Sequence, residues 1–150
     1  MFKNLRQNLF MCSKNNFHKN GTEWRNFYGR FKGKRISATQ TKALLTEFEK
    51  YSLQNISWEE NPLRKQVKLS EIFDEKPVWL EIGFGGGEHL IHQARLYPDI
   101  GFIGCEPYQN GVAKLMGKLN SNPCQNIKLY DGDVRNIFDV LAKNSIQRFS

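Results

Sequence analysis

A short apolar strand that runs straight into a glycine-dense turn and then a helix constrains this chain more than any other stretch. Val78-Trp79-Leu80-Glu81-Ile82 follows Pro77 as an apolar segment of strand length, and Gly83-Phe84-Gly85-Gly86-Gly87 continues it without a break. Glu88 to Leu96 then carries Leu90, Ile91 and Ala94 at helical spacing and stops at Tyr97-Pro98-Asp99. The alternation continues downstream. Gly101-Phe102-Ile103-Gly104-Cys105 predicts a second strand, residues 108–119 a helix with Val112, Leu115, Met116 and Leu119 on one face, Ile127-Lys128-Leu129-Tyr130 a third strand, and Val134 to Ala142 a third helix. Strands and helices in this order predict an α/β fold of βαβ units around a parallel sheet, with right-handed crossovers.

Upstream the pattern is less regular. Ser37 reads as a helix N-cap, and Ala43, Leu44, Phe48 and Tyr51 at near-helical spacing predict a short helix over 38–51. Residues 52–68 read as a polar connector through Asn61-Pro62, and 69–75 as a short helical turn. The net charge of +7 is unevenly spread: residues 1–35 carry +8, with Glu23 the one acid, whereas residues 36–150 carry −1. Residues 1–36 therefore read as a basic arm, rich in Asn and Lys at first and glycine-punctuated later, and 37–150 as the folded portion. Such an arm suits a polyanion, because each neutralised phosphate releases counterions. Trp24, Phe27, Tyr28 and Phe31 lie among its charges and can stack on bases or pack against the protein. A solvated tail is the competing reading.

No apolar run reaches the ~18 residues of a membrane span, and the N-terminus has no continuous apolar segment of the secretory kind. A basic organelle presequence remains as an alternative for the first 20 residues. Cys12, Cys105 and Cys124 form no CxxC and have no His at zinc-ligand spacing, so they read as free thiols, with Cys105 packed in a strand, and no metal site is expected.

Four glycines within residues 83–87 let a turn take positive φ and let a ligand approach bare backbone. The dinucleotide fingerprint G-x-G-x-x-G, started at Gly83, calls for glycine where Glu88 stands, and an acid buried beside a pyrophosphate would repel it, so NAD and FAD are disfavoured. The Gly-Lys-Ser/Thr of a phosphate-binding loop is absent. What remains is E-x-G-x-G-x-G, the pattern of class I methyltransferases, whose cofactor S-adenosylmethionine is a phosphate-free cation with an amino-acid tail. Glu106 ends the second strand, 23 residues after Gly83, where a carboxylate can accept both ribose hydroxyls. Asp133 follows the third strand, near the expected adenine amino group, and can also cap the helix that starts at Val134.

The resemblance then narrows. Trp79 to Glu88 resembles the first motif of the bacterial tRNA (guanine-N7)-methyltransferase family; Phe102-Ile103-Gly104-Cys105-Glu106-Pro107-Tyr108 with Gly111-Val112-Ala113 resembles the second; Asn126-Ile127 with Gly132-Asp133-Val134 resembles the third. Phe27-Tyr28-Gly29-Arg30-Phe31-Lys32-Gly33-Lys34-Arg35 and Gln40 resemble its basic N-terminal segment. The resemblance implies a Rossmann-like fold and methyl transfer from S-adenosylmethionine to N7 of a guanosine in the tRNA variable loop, in the cytoplasm. It implies a cofactor site at Glu81, Gly83, Gly85, Gly87, Glu106 and Asp133, with Glu81 near the methionine moiety, and tRNA contacts from Arg30, Lys32, Lys34 and Arg35. The family's proposed catalytic Asp lies in a Pro-Asp-Pro-Trp-Pro-Lys-Lys segment after the next strand, which would fall beyond Ser150, so no catalytic residue is assigned. On that basis the expectation is three of seven strands, a first strand exposed at an apolar edge, and a truncated or split product with weak or no activity alone. Two other readings stay open: a class I methyltransferase acting on rRNA, protein or a small molecule, and a non-catalytic RNA-binding module that retains the fold.

Overall fold

The computed structural model describes residues 33–150. Helix α1 spans Ala38–Tyr51 and α2 Leu69–Ile72; β1 spans Val78–Ile82, α3 Glu88–Leu96, β2 Gly101–Cys105, α4 Gln109–Ser121, β3 Ile127–Tyr130, α5 Val134–Phe138 and β4 Arg148–Phe149. The four strands form one parallel sheet in the order β3-β2-β1-β4. Central β2 is buried along its whole length, as its unbroken Gly-Phe-Ile-Gly-Cys run requires of a strand covered on both faces.

Two apolar layers cover the sheet. One joins Ala43 and Leu44 of α1, Leu90, Ile91 and Ala94 of α3, and Val112, Leu115, Met116 and Leu119 of α4 to Phe102, Ile127 and Leu129. The other joins Leu53, Ile56, Leu69, Phe73, Ile137 and Val140 to Val78, Leu80, Ile103, Cys105 and Tyr130. Alternate residues of each strand thus feed opposite layers. Helix α1 packs along α4, and its start is fixed by a capping box: Ser37 Oγ accepts from Gln40 N at 3.2 Å while Gln40 Oε1 accepts from Ser37 N at 3.2 Å.

Three expectations need correction. First, β1 is not an exposed edge. Arg148 and Phe149 open a fourth strand against Trp79 and Leu80, and Ile82 N donates to Ser150 O at 2.8 Å. Trp79 anchors this edge: its Nε1 donates to Gln147 Oε1 at 3.1 Å and the Arg148 guanidinium lies 4.6 Å from its ring centroid. Second, the connector over 52–68 is not merely polar linkage. Leu53, Ile56, Ser57 and Asn61 are buried in it. Asn61 Nδ2 donates to Asn55 O at 3.0 Å and to Lys65 O at 2.7 Å, closing the loop on itself, and Arg64 reaches Ile56 O and Asn136 O, each at 2.7 Å, latching it to α5. Third, α5 ends at Phe138 rather than Ala142. Val140 turns down into the second apolar layer, and its carbonyl accepts from Val67 N at 2.8 Å, so the chain there pairs with the connector instead of continuing the helix.

Candidate cofactor site

The predicted loop is where strand β1 delivers it, at the carboxyl edge of the parallel sheet, where open α/β sheets hold their ligands. Gly83, Gly85 and Gly87 have φ of 73°, 57° and 81°. This left-handed backbone is strained for any residue with a side chain. Beside Gly83 and Gly85 a Cβ would meet nothing within 4 Å, so the backbone there faces open space; at Gly87 it would collide with Leu115, so that glycine serves helix packing. Gly111 lets α4 approach closely, since a Cβ there would lie 2.3 Å from Gly85 O.

Glu106, at the end of β2, faces this loop. It is buried, with Oε2 accepting from Gly85 N at 2.9 Å and Oε1 accepting from Tyr108 N at 2.9 Å. The carboxylate thereby holds the loop and the entry to α4 together, and each oxygen keeps a second lone pair for a hydroxyl. Glu81 is also buried; its Oε2 lies 2.8 Å from Nδ1 of His89, the second residue of α3. Asp133 caps α5: its Oδ1 accepts from Arg135 N at 2.9 Å, and its carboxylate forms an ion pair with the Arg135 guanidinium. The cap expected from sequence is therefore present.

Neighbouring Asp131 is buried, and burial raises its carboxyl from the ordinary 3.8 to about 6. Burial, reinforced by the charges of Asp133, Glu106 and Asp131, also pushes the Cys105 thiol up. Cys105 and Cys124 are free thiols, as expected, and Cys124 is buried, as is strand-packed Cys105; Cys12 lies outside the described residues. Among the described residues no group of His, Cys, Asp and Glu is arranged to hold a metal ion, and no helix is long and apolar enough to cross a membrane.

Glu88 is not where the argument against dinucleotides put it. Rather than being buried beside the loop, its side chain is exposed and ion-paired with Lys118 of α4, which holds its carboxyl below the usual range. The first position of a helix points outward here, and Lys118 Nζ also donates to Gly86 O at 2.7 Å, bracing the loop from outside. Glu88 therefore gives no ground against a dinucleotide.

Sequence reasoning missed His89, Asn110 and Lys118. A signal for His89 existed in its spacing from Glu81 across the glycine turn; the other two bind backbone, which no motif marks. Asn110 Oδ1 accepts from Gly33 N at 3.1 Å, and its amide donates to Lys34 O, while a Cβ on Gly33 would run into the Tyr108 hydroxyl. The end of the basic segment is thus fastened to the start of α4 at Asn110, four residues past Glu106. Lys34 and Arg35 are exposed there; Arg30 and Lys32 lie outside the described residues.

Known proteins are similar to this chain over most of its length. A family profile described as "Putative methyltransferase" matches residues 75–150, which covers every strand and the loop. A protein of Ruegeria sp. strain TM1040 named "tRNA (guanine-N(7)-)-methyltransferase" is 48% identical over 131 residues, 87% of this chain and 51% of its own length. Proteins of the same name from Roseobacter denitrificans and Cereibacter sphaeroides are 52% and 47% identical over 83% and 85% of the chain. The chain spans about half the length of these curated relatives, 51–53%. A parallel sheet with a glycine loop and acids at its strand ends, together with a profile match over half the chain, makes this protein a member of the methyltransferase family.

Proposed function

We propose that the chain supplies the cofactor-binding portion of an S-adenosylmethionine-dependent methyltransferase that modifies N7 of a guanosine in the tRNA variable loop. The observation that carries the cofactor reading is the Glu106 carboxylate, tied to Gly85 N in a loop where Gly83 and Gly85 face open space. In this reading Glu106 accepts the ribose hydroxyls, Asp133 lies near the adenine amino group, and Glu81 meets the amino-acid tail. Backbone at Gly83 and Gly85 gives the ligand its close approach, while Gly87, expected beside them as a cofactor contact, lets Leu115 of α4 pack against the loop. A rim of carboxylates suits a cation without phosphate and disfavours a pyrophosphate.

When bound, S-adenosylmethionine supplies an electrophilic methyl group on a sulfonium. Guanine N7 already has a free lone pair, so the protein need not remove a proton, and its contribution is positioning and electrostatics. Residues 37–150 form the methyltransferase portion in this reading, and residues 1–36 a basic arm for tRNA, in which Arg30, Lys32, Lys34 and Arg35 neutralise phosphates. The names of the relatives support the substrate, and the fastening of Gly33 and Lys34 to Asn110 supports an arm held beside the cofactor loop. A tRNA substrate favours the cytoplasm.

The test is methyl transfer to unmodified tRNA, with digested nucleosides resolved by mass spectrometry. N7-methylguanosine is the expected product. A methyl group on a different base, or labelling of protein in preference to tRNA, would overturn the substrate assignment.

A further inference from the structure

Glu81 and His89 stand at opposite ends of the glycine turn, one closing β1 and the other in the first turn of α3. Their contact, Nδ1 to Oε2 at 2.8 Å, bridges the turn side chain to side chain. The two groups differ sharply in exposure: Glu81 keeps 11% of its side-chain surface and His89 60%. Among the described residues, His89 is the one hydrogen-bond partner of the Glu81 carboxylate. A carboxylate on a strand end has free rotation about its last torsion, which is broad and costs little to turn. A ring nitrogen locked to one oxygen removes that freedom and presents the other oxygen in one direction.

We propose that His89 is a positioning residue for Glu81, and that the pair recognises the zwitterionic amino-acid tail of the cofactor. This rests on the cofactor reading above and goes further by assigning a residue that motif comparison did not. With Nδ1–H donating to Oε2, the Glu81 carboxylate leaves Oε1 to accept from the ligand ammonium. The pair joins the two ends of the loop, whereas Glu106 holds Gly85 within it. Tail recognition is thus separated from ribose recognition, and the two halves of the ligand can be tested independently.

The experiment is calorimetric titration of the full chain with S-adenosylhomocysteine and with 5′-methylthioadenosine, which keeps the thioether nucleoside but lacks the tail. Wild type, His89→Ala and His89→Asn are compared. Losing the immobilisation of one side chain at a binding site weakens binding by about three- to tenfold, so His89→Ala is expected to lose that much affinity for S-adenosylhomocysteine and less than about twofold for methylthioadenosine. His89→Asn places an amide N–H near the Nδ1 position and is expected to restore most of the loss. Equal affinity of His89→Ala and wild type for the tailed ligand overturns the inference. So does an equal loss for both ligands, or a failure of Asn to do better than Ala. A wild-type chain that binds neither ligand overturns the cofactor reading itself, and this inference with it.

Discussion

Helix α4 contains two glycines whose replacement by alanine should have opposite effects. Alanine in a helix gains roughly 1 kcal/mol over glycine at an interior position. At Gly117 the nearest atom to a new Cβ is Gln40 Cγ at 3.9 Å, an ordinary contact, so Gly117→Ala should keep that gain. At Gly111 the new Cβ would lie 2.3 Å from Gly85 O and 3.1 Å from Gly85 C. Both atoms are backbone of the cofactor loop, and the same loop residue is held by Glu106 at 2.9 Å, so nothing can swing aside. Forcing α4 and the loop apart has the cost of overpacking, about 1–3 kcal/mol, against a propensity gain that is smaller in the first turn of a helix. Gly111→Ala should therefore be destabilised by about 1–2 kcal/mol, and the two variants should differ by about 2–3 kcal/mol. Urea melts of the full chain measure this directly, with the slope checked for constancy. Gly111→Ala should also bind S-adenosylmethionine more weakly, while Gly117→Ala binds as wild type does. A Gly111→Ala protein as stable as wild type would refute the close packing of α4 on the loop.

Other residues give separate tests. Asp133→Ala removes the α5 cap and should cost about 1 kcal/mol in a melt; an unchanged midpoint would mean that the Arg135 N contact contributes nothing. Asp131 binds a proton in the fold that the unfolded chain has already released. Stability should therefore fall as pH rises from about 4 to about 6 and level off above, and Asp131→Asn should flatten that part of the profile relative to wild type. Asn126 Nδ2 donates to Ala94 O and Ile100 O, each at 2.9 Å, tying the end of α3 to the start of β3. Asn126→Asp turns that donor into a charge facing carbonyls and should cost about 1–3 kcal/mol, seen as a lower urea midpoint.

Much of the fold is written in local pattern. The strands over 78–82, 101–105 and 127–130 fall where apolar runs lie between turn signals, and α1 begins behind Ser37, whose cap and Gln40 partner are both within four residues. What local pattern could not supply is tertiary pairing. Leu53 and Ile56 sit among polar residues, and their burial depends on a sheet face completed far downstream. The early end of α5 has the same origin, because Val140 gains more by packing and accepting from Val67 than Ala142 would by extending a helix. Arg148 and Phe149 are too few to read as a strand alone, and only the partnership with Trp79 and Leu80 makes them one.

The site shows a similar division. Glycines, strand-end acids and the Asp133 cap have spacing rules, so Gly83, Gly85, Gly87, Glu81, Glu106 and Asp133 were legible as candidates. Orientation has no such rule. Whether Glu88 faced the loop depended on Lys118, thirty residues on, and the helix turned it outward. Asn110 likewise acts through backbone atoms of Gly33 and Lys34 that any sequence would offer.

The central claim is that the glycine loop, Glu106 and Asp133 together hold S-adenosylmethionine. Amide hydrogen exchange of the full chain, with and without S-adenosylmethionine or NADH, measures it most directly, because slowed exchange reports which backbone is ordered. The account predicts protection by S-adenosylmethionine within 83–88, around 106–109 and around 131–135, and none there by NADH. Protection by NADH at those segments, or saturating S-adenosylmethionine that leaves them unchanged, would contradict it.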